Sequence, residues 1–302
     1  MKILDHKNSN KIFRLTSVLG NYQSLDGGAM FGNVPKSMWQ KWIEPDSQNR
    51  IKLQCRAMLV DIAGIKILCE VGIGAFFDPS LRDRYGVADH RHVLIDELAK
   101  LGLQESDIDF VVLSHLHFDH AGGLLPSWEE SQGKHVRLMF PKARYVVGKT
   151  AFERAKNPHA RDRASFIPEL QELLANSNRL LLIDEERHPD FFPDCVRFSF
   201  TDGHTPGHMH IEITGNQKTV FFAGDLIPGT AWVHLPITMG YDRFAEKVID
   251  EKNNFYKRWA NNPNNWVYYT HDQNVALSKI SKNEKGRFEA IEAIEKPVGW
   301  EF

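Results

Sequence analysis

The sequence is poor in cysteine and lacks a long apolar run. Its three cysteines, Cys55, Cys69 and Cys195, are far apart and form no CxxC pair, which argues against a disulfide framework and favours a reducing compartment. No segment approaches the roughly 18 consecutive apolar residues of a membrane helix, and the N-terminal stretch MKILDHKNSNKIFRL is too polar for a signal peptide. We therefore expect a cytoplasmic protein with no membrane partner.

The chain also lacks an excess of either charge. Its 37 basic and 39 acidic residues leave a formal net charge of −2, and no long run of like charge is present to follow a phosphate backbone. We therefore expect no nucleic-acid partner. With 302 residues, of which 42% are hydrophobic and 25% charged, the composition is typical of an enzyme-sized globular protein. We predict one domain over residues 1–302.

Apolar periodicity predicts strands mixed with helices in both halves of the chain. Two β-rich runs around Ala63 and Gly64 indicate a hairpin, and residues 92–103 have the spacing of an amphipathic helix. Helices are also predicted over 152–178 and 244–260, with a last one around GRFEAIEAIEK. Strands are predicted at KIFRLTSVLG, IDFVVLSH, VRLMF, RYVVG, RLLLID, CVRFSFTDG, HIEITG, KTVFFAGD and WVYYTHD. Such a mixture suggests sheets covered by helices.

The strongest chemical signal is SHLHFDHAGG, at residues 114–123, directly after an apolar strand. His115 and His117 are two residues apart, so a strand end can place both on one side. The turn that follows can direct Asp119 and His120 toward a second point. One short loop can therefore supply ligands to two metal ions.

Three later residues stand in similar settings. His204, Asp225 and His271 each follow an apolar run, so each is expected at the same edge of a sheet. For each of them taken alone, a role without metal remains an alternative. Imidazole and carboxylate together suit zinc, iron(II), manganese or cobalt, and no thiolate is needed.

The segments HLHFDH, HTPGH, AGD and THD, in this order and spacing, resemble the metallo-β-lactamase superfamily. More narrowly, they resemble its N-acyl-homoserine lactone lactonase branch, and the resemblance covers about residues 50 to 275. It implies an α/β fold, an αββα sandwich with two mixed β-sheets flanked by helices and a metal site along one edge of the sheets.

The resemblance also implies how two divalent metal ions, zinc above all, are held. His115, His117 and His204 would bind the first ion, and Asp225 would bridge it to the second. The second ion would be bound by Asp119, His120 and His271.

The implied reaction is the opening of a lactone or ester by hydroxide bound to the metals. Asp119 is the candidate that passes a proton to the leaving alkoxide, and Asp225 is the second candidate catalytic residue. The sequence contains no GxSxG motif, so a serine nucleophile is not indicated. The expected partner is a small lactone or ester, and a homodimer remains open.

Two positions depart from the lactonase pattern. Lactonases of this kind often carry a tyrosine three residues after the bridging aspartate, where this chain has Pro228. His234 or Tyr241 could replace it, although packing is an alternative role for each. Glu70 stands where the family usually has aspartate, and we expect this change to alter only hydrogen bonding around the ligands.

The remaining histidines are expected to have no metal role. His208 and His210 belong to a turn of which only His204 is expected to bind metal. Surface or packing roles are expected for the other histidines, which are His6, His90, His92, His135, His159 and His188. A loop with Met30, Phe31, Met38, Trp39 and Trp42 is expected to cover the pocket, to form a subunit interface or to be buried in the core.

Other functions remain alternatives. An organophosphate or aryl-ester hydrolase of the same fold is the first, because the same hydroxide attacks phosphorus. A glyoxalase-type thioesterase would need a basic cluster, and only scattered lysines and arginines are visible. A metal-dependent nuclease would need a basic surface. A non-catalytic binding protein would be expected to have lost some of the seven ligand positions.

Overall fold

Two large β-sheets form the centre of the molecule. The computed structural model describes residues 12–132, 134, 137–184, 189, 191–260 and 262–302. Its strands are β1 (Phe13–Val18), β2 (Gln23–Asp26), β3 (Arg50–Leu53), β4 (Ala57–Ile62), β5 (Ile65–Cys69), β6 (Phe110–Leu113), β7 (Arg144–Gly148), β8 (Leu180–Ile183), β9 (Val196–Thr201), β10 (His208–Thr214), β11 (Thr219–Phe222), β12 (Asn265–Tyr268), β13 (Leu277–Lys282), β14 (Phe288–Ile294) and β15 (Trp300–Glu301).

Helices lie between these strands and over the sheets. They are α1 (Gly27–Phe31), α2 (Lys36–Trp39), α3 (Pro79–Tyr85), α4 (Val93–Lys100), α5 (Phe118–Ala121), α6 (Trp128–Ser131), α7 (Lys149–Lys156), α8 (Leu170–Asn176) and α9 (Ala245–Trp259). Within the described ranges, no helix has the length and apolar composition needed to cross a bilayer.

Both large sheets are mixed. The first has the strand order β15-β1-β4-β5-β6-β7-β8, with antiparallel pairs from β15 to β5 and parallel pairs from β5 to β8. The second has the order β14-β13-β12-β11-β10-β9, and its β11–β12 pair is parallel. Strands β2 and β3 form a small antiparallel sheet of their own.

The two large sheets pack face to face through buried aliphatic and aromatic side chains. Leu15 and Val60 of the first sheet share one core with Ile211 and Phe222 of the second. The outer face of the first sheet is covered by α4, α7 and α8, whose buried side chains form another core with it. Helix α9 covers the second sheet. The predicted αββα sandwich, with two mixed sheets flanked by helices, is therefore confirmed, and the single domain over 1–302 stays a prediction.

Several predicted elements occur where the sequence indicated them. The hairpin joins β4 to β5 through Ala63 and Gly64, which have φ angles of 52° and 90°. The helix predicted over 92–103 is α4, which buries Leu94 and Leu98, four residues apart, against the first sheet. The region 152–178 contains α7 and α8, separated by a stretch that is largely not helical.

The predicted helix around GRFEAIEAIEK is wrong. These residues form β14, an edge strand that pairs with β13 from Leu277 to Lys282. A register shift between Leu277 and Lys279 and a positive φ of 50° at Glu292 break the strict alternation of a strand. The apolar residues therefore fall at helix-like intervals, and pairing with β13 overrides the helical propensity of the segment.

The predicted strand VRLMF is also wrong over the described residues Arg137–Phe140, which form no strand. Side chains use the carbonyl groups that a strand would need for pairing. The Tyr145 hydroxyl donates to the Met139 carbonyl at 2.6 Å, and Arg179 Nη1 donates to the Phe140 carbonyl at 2.8 Å. Phe140 itself has a φ of 57°, which lies outside the β region.

The aromatic segment near the N terminus is only partly a surface loop. It contains α1 and α2, and the Phe31 ring stacks on the rings of Trp39 and Trp232, with centroid distances of 5.5 and 4.6 Å. Met30, Phe31 and Trp39 are buried, whereas Met38 and Trp42 are exposed. Burial in the core is therefore confirmed for three of these side chains, and Met30 also lines the cavity described below.

Candidate metal centre

The first histidine cluster lies in the loop that follows β6. His117 directly precedes α5. This helix, Phe118–Ala121, is a single turn that contains Asp119 and His120. The loop lies directly against the end of β5, where a Cβ atom at Gly123 would come within 2.0 Å of the Val71 carbonyl oxygen. A glycine is therefore required there, and the backbone approach fixes the position of the loop.

The other three candidate ligands arrive from the second sheet. His204 follows β9, Asp225 lies in a turn after β11 and His271 follows β12. These strands run in the same direction, because β9 and β11 are both antiparallel to β10 and β11 is parallel to β12. Their C-terminal ends therefore meet at one edge of the sheet, beside the loop after β6.

The structure brings the seven predicted residues together in two groups joined by one carboxylate. We call His115, His117 and His204 the first group, and Asp119, His120 and His271 the second group. Within each group the possible ligand atoms all lie within 4.8 Å of one another.

Asp225 lies between the two groups. Its Oδ2 is 3.1 Å from His204 Nε2 and 3.3 Å from His120 Nε2, and its Oδ1 is 3.2 Å from His271 Nε2. A single carboxylate therefore reaches donor atoms of both groups, as a residue that bridges two metal ions must.

Hydrogen bonds fix which imidazole nitrogen faces the site. Ser114 donates its only proton to Glu70 Oε1, so His115 Nδ1 must donate to Ser114 Oγ, at 2.8 Å. The Nε2 atom of His115 is then a lone-pair donor, and it is buried with no hydrogen-bond partner in the described part of the chain. A buried lone pair without a partner is costly unless a cation accepts it.

The same logic applies to three other ligands. The Nδ1 atom of His120 donates to Glu70 Oε2 at 2.8 Å, that of His204 to Asp242 Oδ1 at 2.8 Å, and that of His271 to the Gln54 carbonyl at 2.6 Å. Burial lowers the pKa values of these three rings, but Asp225 and the other nearby carboxylates outweigh it and raise them, so metal binding must displace a proton from each ring. Once neutral, each ring directs the Nε2 lone pair toward Asp225. Metal-binding histidines are commonly oriented by such partners.

Electrostatics agree with a cation site. Burial, together with neighbouring imidazoles, holds the pKa values of His115 and His117 well below the usual range, so both rings are neutral and able to bind metal. Burial raises the pKa of Asp225, but His120, His204 and His271 outweigh it and hold that pKa well below its usual value. Buried histidines and carboxylates of this kind fit zinc or another borderline divalent ion.

Glu70 is buried and supports ligands of both groups. It accepts hydrogen bonds from Ser114 and His120, and from the Thr270 hydroxyl at 3.3 Å. One of its oxygens also lies within 4.8 Å of donor atoms of His115 and His120. Because both of its oxygens already accept hydrogen bonds, a supporting role fits better than direct metal binding.

Two further supporting residues had no signal in the sequence. Asp242 accepts a hydrogen bond from His204, and its other oxygen accepts the Met239 N–H at 2.7 Å. Gln23, fully buried in β2, donates from Nε2 to Asp119 Oδ2 at 2.6 Å. Both lie far from their partners in the chain, so only the folded structure reveals the contacts.

The described histidines that were expected to have no metal role lie outside both groups. His208 Nε2 accepts the backbone N–H of Asp225 at 3.2 Å, and His210 Nε2 contacts Thr201 Oγ1 at 2.9 Å. His92 is buried and donates to the Gly123 carbonyl at 2.8 Å. It therefore braces the loop after β6, residues 114–123, which we call the ligand loop. His90 and His159 are exposed, and His6, His135 and His188 lie outside the described residues.

A cavity of about 430 Å³ opens in front of the two groups. Tyr241 lines this cavity, whereas His234 lines a separate one. Pro228 is not among the lining residues, and its carbonyl accepts the His271 N–H at 2.8 Å. The cavity is lined by Ser24, Leu25, Asp26, Met30, Arg50, Arg84, Tyr85, His117, Phe118, Asp119, Arg161, Ala164, Ser165, His204, Asp225, Met239, Tyr241 and His271.

Comparison with known families agrees with this geometry. Residues 51–271 match the model of the metallo-beta-lactamase superfamily. The chain belongs to this superfamily. The match begins in β3 and ends at His271, so it covers all seven candidate ligands.

Relatives in the superfamily include lactonases. The chain is 27% identical over 126 residues to the N-acyl homoserine lactonase AttM of Rhizobium radiobacter, an alignment that covers 41% of this chain and 43% of that protein. The chain thus spans less than half the length of this relative.

Solved structures share the fold over nearly the whole chain. A probable metal-dependent hydrolase from Staphylococcus aureus is 26% identical, with a TM-score of 0.79 and coverage of 93% of this chain and 98% of that one. AidC, a dizinc quorum-quenching lactonase, has a TM-score of 0.73 and covers 95% of both chains, at 22% identity. At that identity the second likeness concerns the fold alone.

Proposed function

We propose that this protein is a dinuclear metal-dependent hydrolase that opens an N-acyl-homoserine lactone or a related lactone or ester. The observation that carries this proposal is the position of Asp225, whose two oxygens lie 3.1 to 3.3 Å from histidine nitrogens of both groups. In this proposal the first group binds one ion, the second group binds the other, and Asp225 bridges them.

Zinc is the proposed metal, with iron, manganese and cobalt as alternatives that the same donors accept. When bound, two such ions lower the pKa of water enough to supply hydroxide at neutral pH and polarise a substrate carbonyl. The donor set supports this choice because it contains only imidazole and carboxylate groups.

The chain's own residues would position the substrate and pass a proton to the leaving alkoxide. The cavity is within the usual range of small-molecule sites, roughly 300–1,000 Å³. Asp119 lines it and is the proposed proton donor to the leaving alkoxide. Tyr241 lines it as well, and we propose that its hydroxyl replaces the tyrosine absent at Pro228. Burial, with Asp119 nearby, raises the pKa of Tyr241, so the hydroxyl keeps its proton at neutral pH.

Named relatives support a lactone as substrate, because AttM is called an N-acyl homoserine lactonase. An organophosphate or aryl-ester hydrolase remains the second candidate, since Pro228 removes one group that lactonases often use. The cytoplasmic location, the absence of a nucleic-acid partner and a homodimer stay predictions.

The test compares metal content with turnover. Protein loaded with zinc should hold two ions per chain and hydrolyse a homoserine lactone with a higher kcat/KM than a phosphotriester. His117→Gln should lower both metal content and turnover, while His90→Gln, at an exposed histidine that contacts Glu129, should change neither. Turnover that survives thorough chelation, or a fully loaded protein with fewer than two ions, would contradict the proposal. Preference for the phosphotriester would favour the second candidate.

A further inference from the structure

Three arginines from distant parts of the chain line the cavity in front of the two groups. Arg50 is the first residue of β3, Arg84 lies in α3 and Arg161 follows α7. In the sequence they look like scattered surface charges. The fold brings them to one opening, so the cavity has the basic lining that the sequence did not reveal.

Among the described residues, two of the three have no carboxylate partner. Arg50 Nε pairs with Asp46 Oδ2 at 2.9 Å. In the described part of the chain no carboxylate lies within ion-pair distance of Arg84 or Arg161, and both are exposed. Arg82, on the same helix as Arg84, is by contrast buried and pairs with Glu129 at 2.6 Å. We call Arg84 and Arg161 the rim arginines.

The acidic residues of the cavity do not offset the rim arginines. Asp26 accepts an amide N–H of Asn49 and the Ala29 N–H, both at 2.8 Å, and these bonds lower its pKa and keep it ionised. Its single negative charge is smaller than the two positive charges of the rim arginines. Asp119 and Asp225 are proposed metal ligands, and two divalent cations carry more positive charge than these two carboxylates carry negative charge. The loaded cavity is therefore positively charged, which attracts anions and concentrates them at its mouth.

One rim arginine is also anchored. Arg161 Nη2 donates to the Gly240 carbonyl at 3.0 Å, which holds the guanidinium beside Tyr241 and leaves its other N–H groups available. A planar guanidinium binds a carboxylate or phosphate through paired hydrogen bonds. The apolar side chains of Leu25, Met30 and Met239 also line the cavity.

We propose that the cavity takes lactones or esters that carry a carboxylate or a similar anionic group at the end away from the scissile bond. The rim arginines bind that group, and the apolar lining contacts the chain that joins it to the reacting carbonyl. This inference rests on the proposed function for its reaction, and it adds the class of substrate.

The test uses two N-acyl-homoserine lactones of equal chain length, one ending in a carboxylate and the other in a primary carboxamide. With the zinc-loaded protein at low ionic strength, the carboxylate-ended lactone should have the higher kcat/KM, by about tenfold for two exposed charge contacts. The difference should lie mainly in KM and should shrink at high ionic strength.

The double variant Arg84→Gln/Arg161→Gln should abolish the preference, because it should lower kcat/KM for the carboxylate-ended lactone about tenfold more than kcat/KM for the carboxamide-ended lactone. The matched control is Arg197→Gln, which changes an exposed arginine that lines a different cavity beside α9. It should preserve the preference. Equal kcat/KM for the two lactones in the wild type, or a preference that survives in the double variant, would overturn the inference.

Calorimetry separates this inference from the proposed reaction. The ring-opened products of the two lactones are titrated into zinc-loaded wild type, which needs no turnover. Tighter binding of the product with the terminal carboxylate supports the rim arginines even if neither lactone is hydrolysed, in which case only the proposed reaction fails. Equal binding of the two products overturns the inference whatever the turnover.

Discussion

The two groups of proposed ligands are supported to different extents. In the second group every member has a direct hydrogen-bond partner outside the site, namely Gln23 for Asp119, Glu70 for His120 and the Gln54 carbonyl for His271. In the first group His204 has Asp242 and His115 has Ser114. His117 faces the site through Nδ1, which lies 3.3 Å from His204 Nε2, and its Nε2 on the opposite side of the ring is buried without a partner among the described residues. The second group is therefore the more completely fixed before any metal binds.

The difference shows how the site is built. The ligand loop supplies four candidate ligands in six residues, but most of the residues that orient them come from elsewhere in the chain. Glu70 is the one described residue that supports both groups, because it bonds His120 directly and His115 through Ser114. Glu70 connects the two groups on the Nδ1 side of the rings of His115 and His120, whereas Asp225 connects them through Nε2 atoms.

The largest expected effect comes from Asp225→Ala, which removes the residue that contacts both groups. We expect loss of at least one bound ion per chain and a fall in turnover larger than the ten- to hundredfold that loss of a supporting partner typically costs. Metal analysis after gel filtration measures the first, and lactone hydrolysis the second. Two ions retained with full turnover would remove Asp225 from the proposal.

Glu70→Gln and Asp242→Asn sharpen the comparison between the groups. Glu70→Gln should weaken retention of both ions, because Glu70 supports a ligand in each group. Asp242→Asn should weaken retention of the first group's ion alone, because Asp242 supports His204. Each affected site should lose roughly ten- to hundredfold in metal affinity. Competition with a graded series of chelators resolves the two sites. Identical release curves for the two variants would show that the groups are not supported separately.

Lys252→Met tests a support that belongs to the first group alone. Lys252 is buried in α9, and its Nζ donates to the carbonyls of Trp232, His234 and Ile237 at 2.6 to 3.1 Å, in the segment that leads to Asp242. Leaving these carbonyls without a donor should lower the free energy of unfolding by about 2 kcal/mol. Urea unfolding measures this, with Lys257→Met, at an exposed lysine of the same helix, as the control.

The pH dependence of this difference has a defined sign. Burial lowers the pKa of Lys252 from 10.5 to about 7. Between pH 7 and pH 10.5 the side chain therefore carries a proton in the unfolded chain and has lost it in the folded chain. Stability therefore rises with pH where the unfolded state holds more protons. From pH 7 toward pH 10.5 the free energy of unfolding of the wild type should rise relative to that of Lys252→Met, by up to about 1.4 kcal/mol per pH unit. A difference that is constant over this range would contradict the assignment.

The seven proposed ligands could be found from sequence because each follows a strand that the apolar pattern reveals. Strand ends in a layered α/β fold meet at an edge, so residues such as His115 and His271 converge although they are far apart in the chain. The mixture of strands and helices follows from the same periodicity, whereas the arrangement in two mixed sheets was implied by the resemblance to the superfamily. The edge strand β14 could not be predicted, because its partner β13 and its bulge, rather than its own residues, decide its conformation.

The supporting residues could not be found in this way. Gln23 and Asp242 belong to no motif, and their contacts depend on how β2 and the segment before α9 fold against the ligand loop. The arginines that line the cavity are likewise separated by 34 and 77 positions in the numbering, 50 to 84 and 84 to 161. Spacing carries no signal for such contacts, because the tertiary packing alone sets the distances.

Gln23→Leu tests one of these contacts, and we expect about a tenfold effect. The variant keeps a similar volume but removes the N–H that holds Asp119 Oδ2, and hydrogen bonds to charged groups contribute roughly 1.5–3 kcal/mol. The ion of the second group should be released more readily, while the ion of the first group is retained. Chelator competition measures this. The control Gln40→Leu, at an exposed glutamine, should leave both ions bound, and faster release of the first ion alone would refute the role of Gln23.

The smallest expected effect is that of Tyr241→Phe, which leaves both groups of ligands intact. Removing one hydrogen bond to the substrate should lower kcat roughly two- to tenfold, the size of a net contribution of 0.5–1.5 kcal/mol. Metal content and KM should change little, because the hydroxyl contacts no proposed ligand and the ring remains. His234→Phe is the matched control, since His234 lines a different cavity. If Tyr241→Phe raises KM and leaves kcat unchanged, the hydroxyl binds the ground state of the substrate and does not replace the tyrosine absent at Pro228.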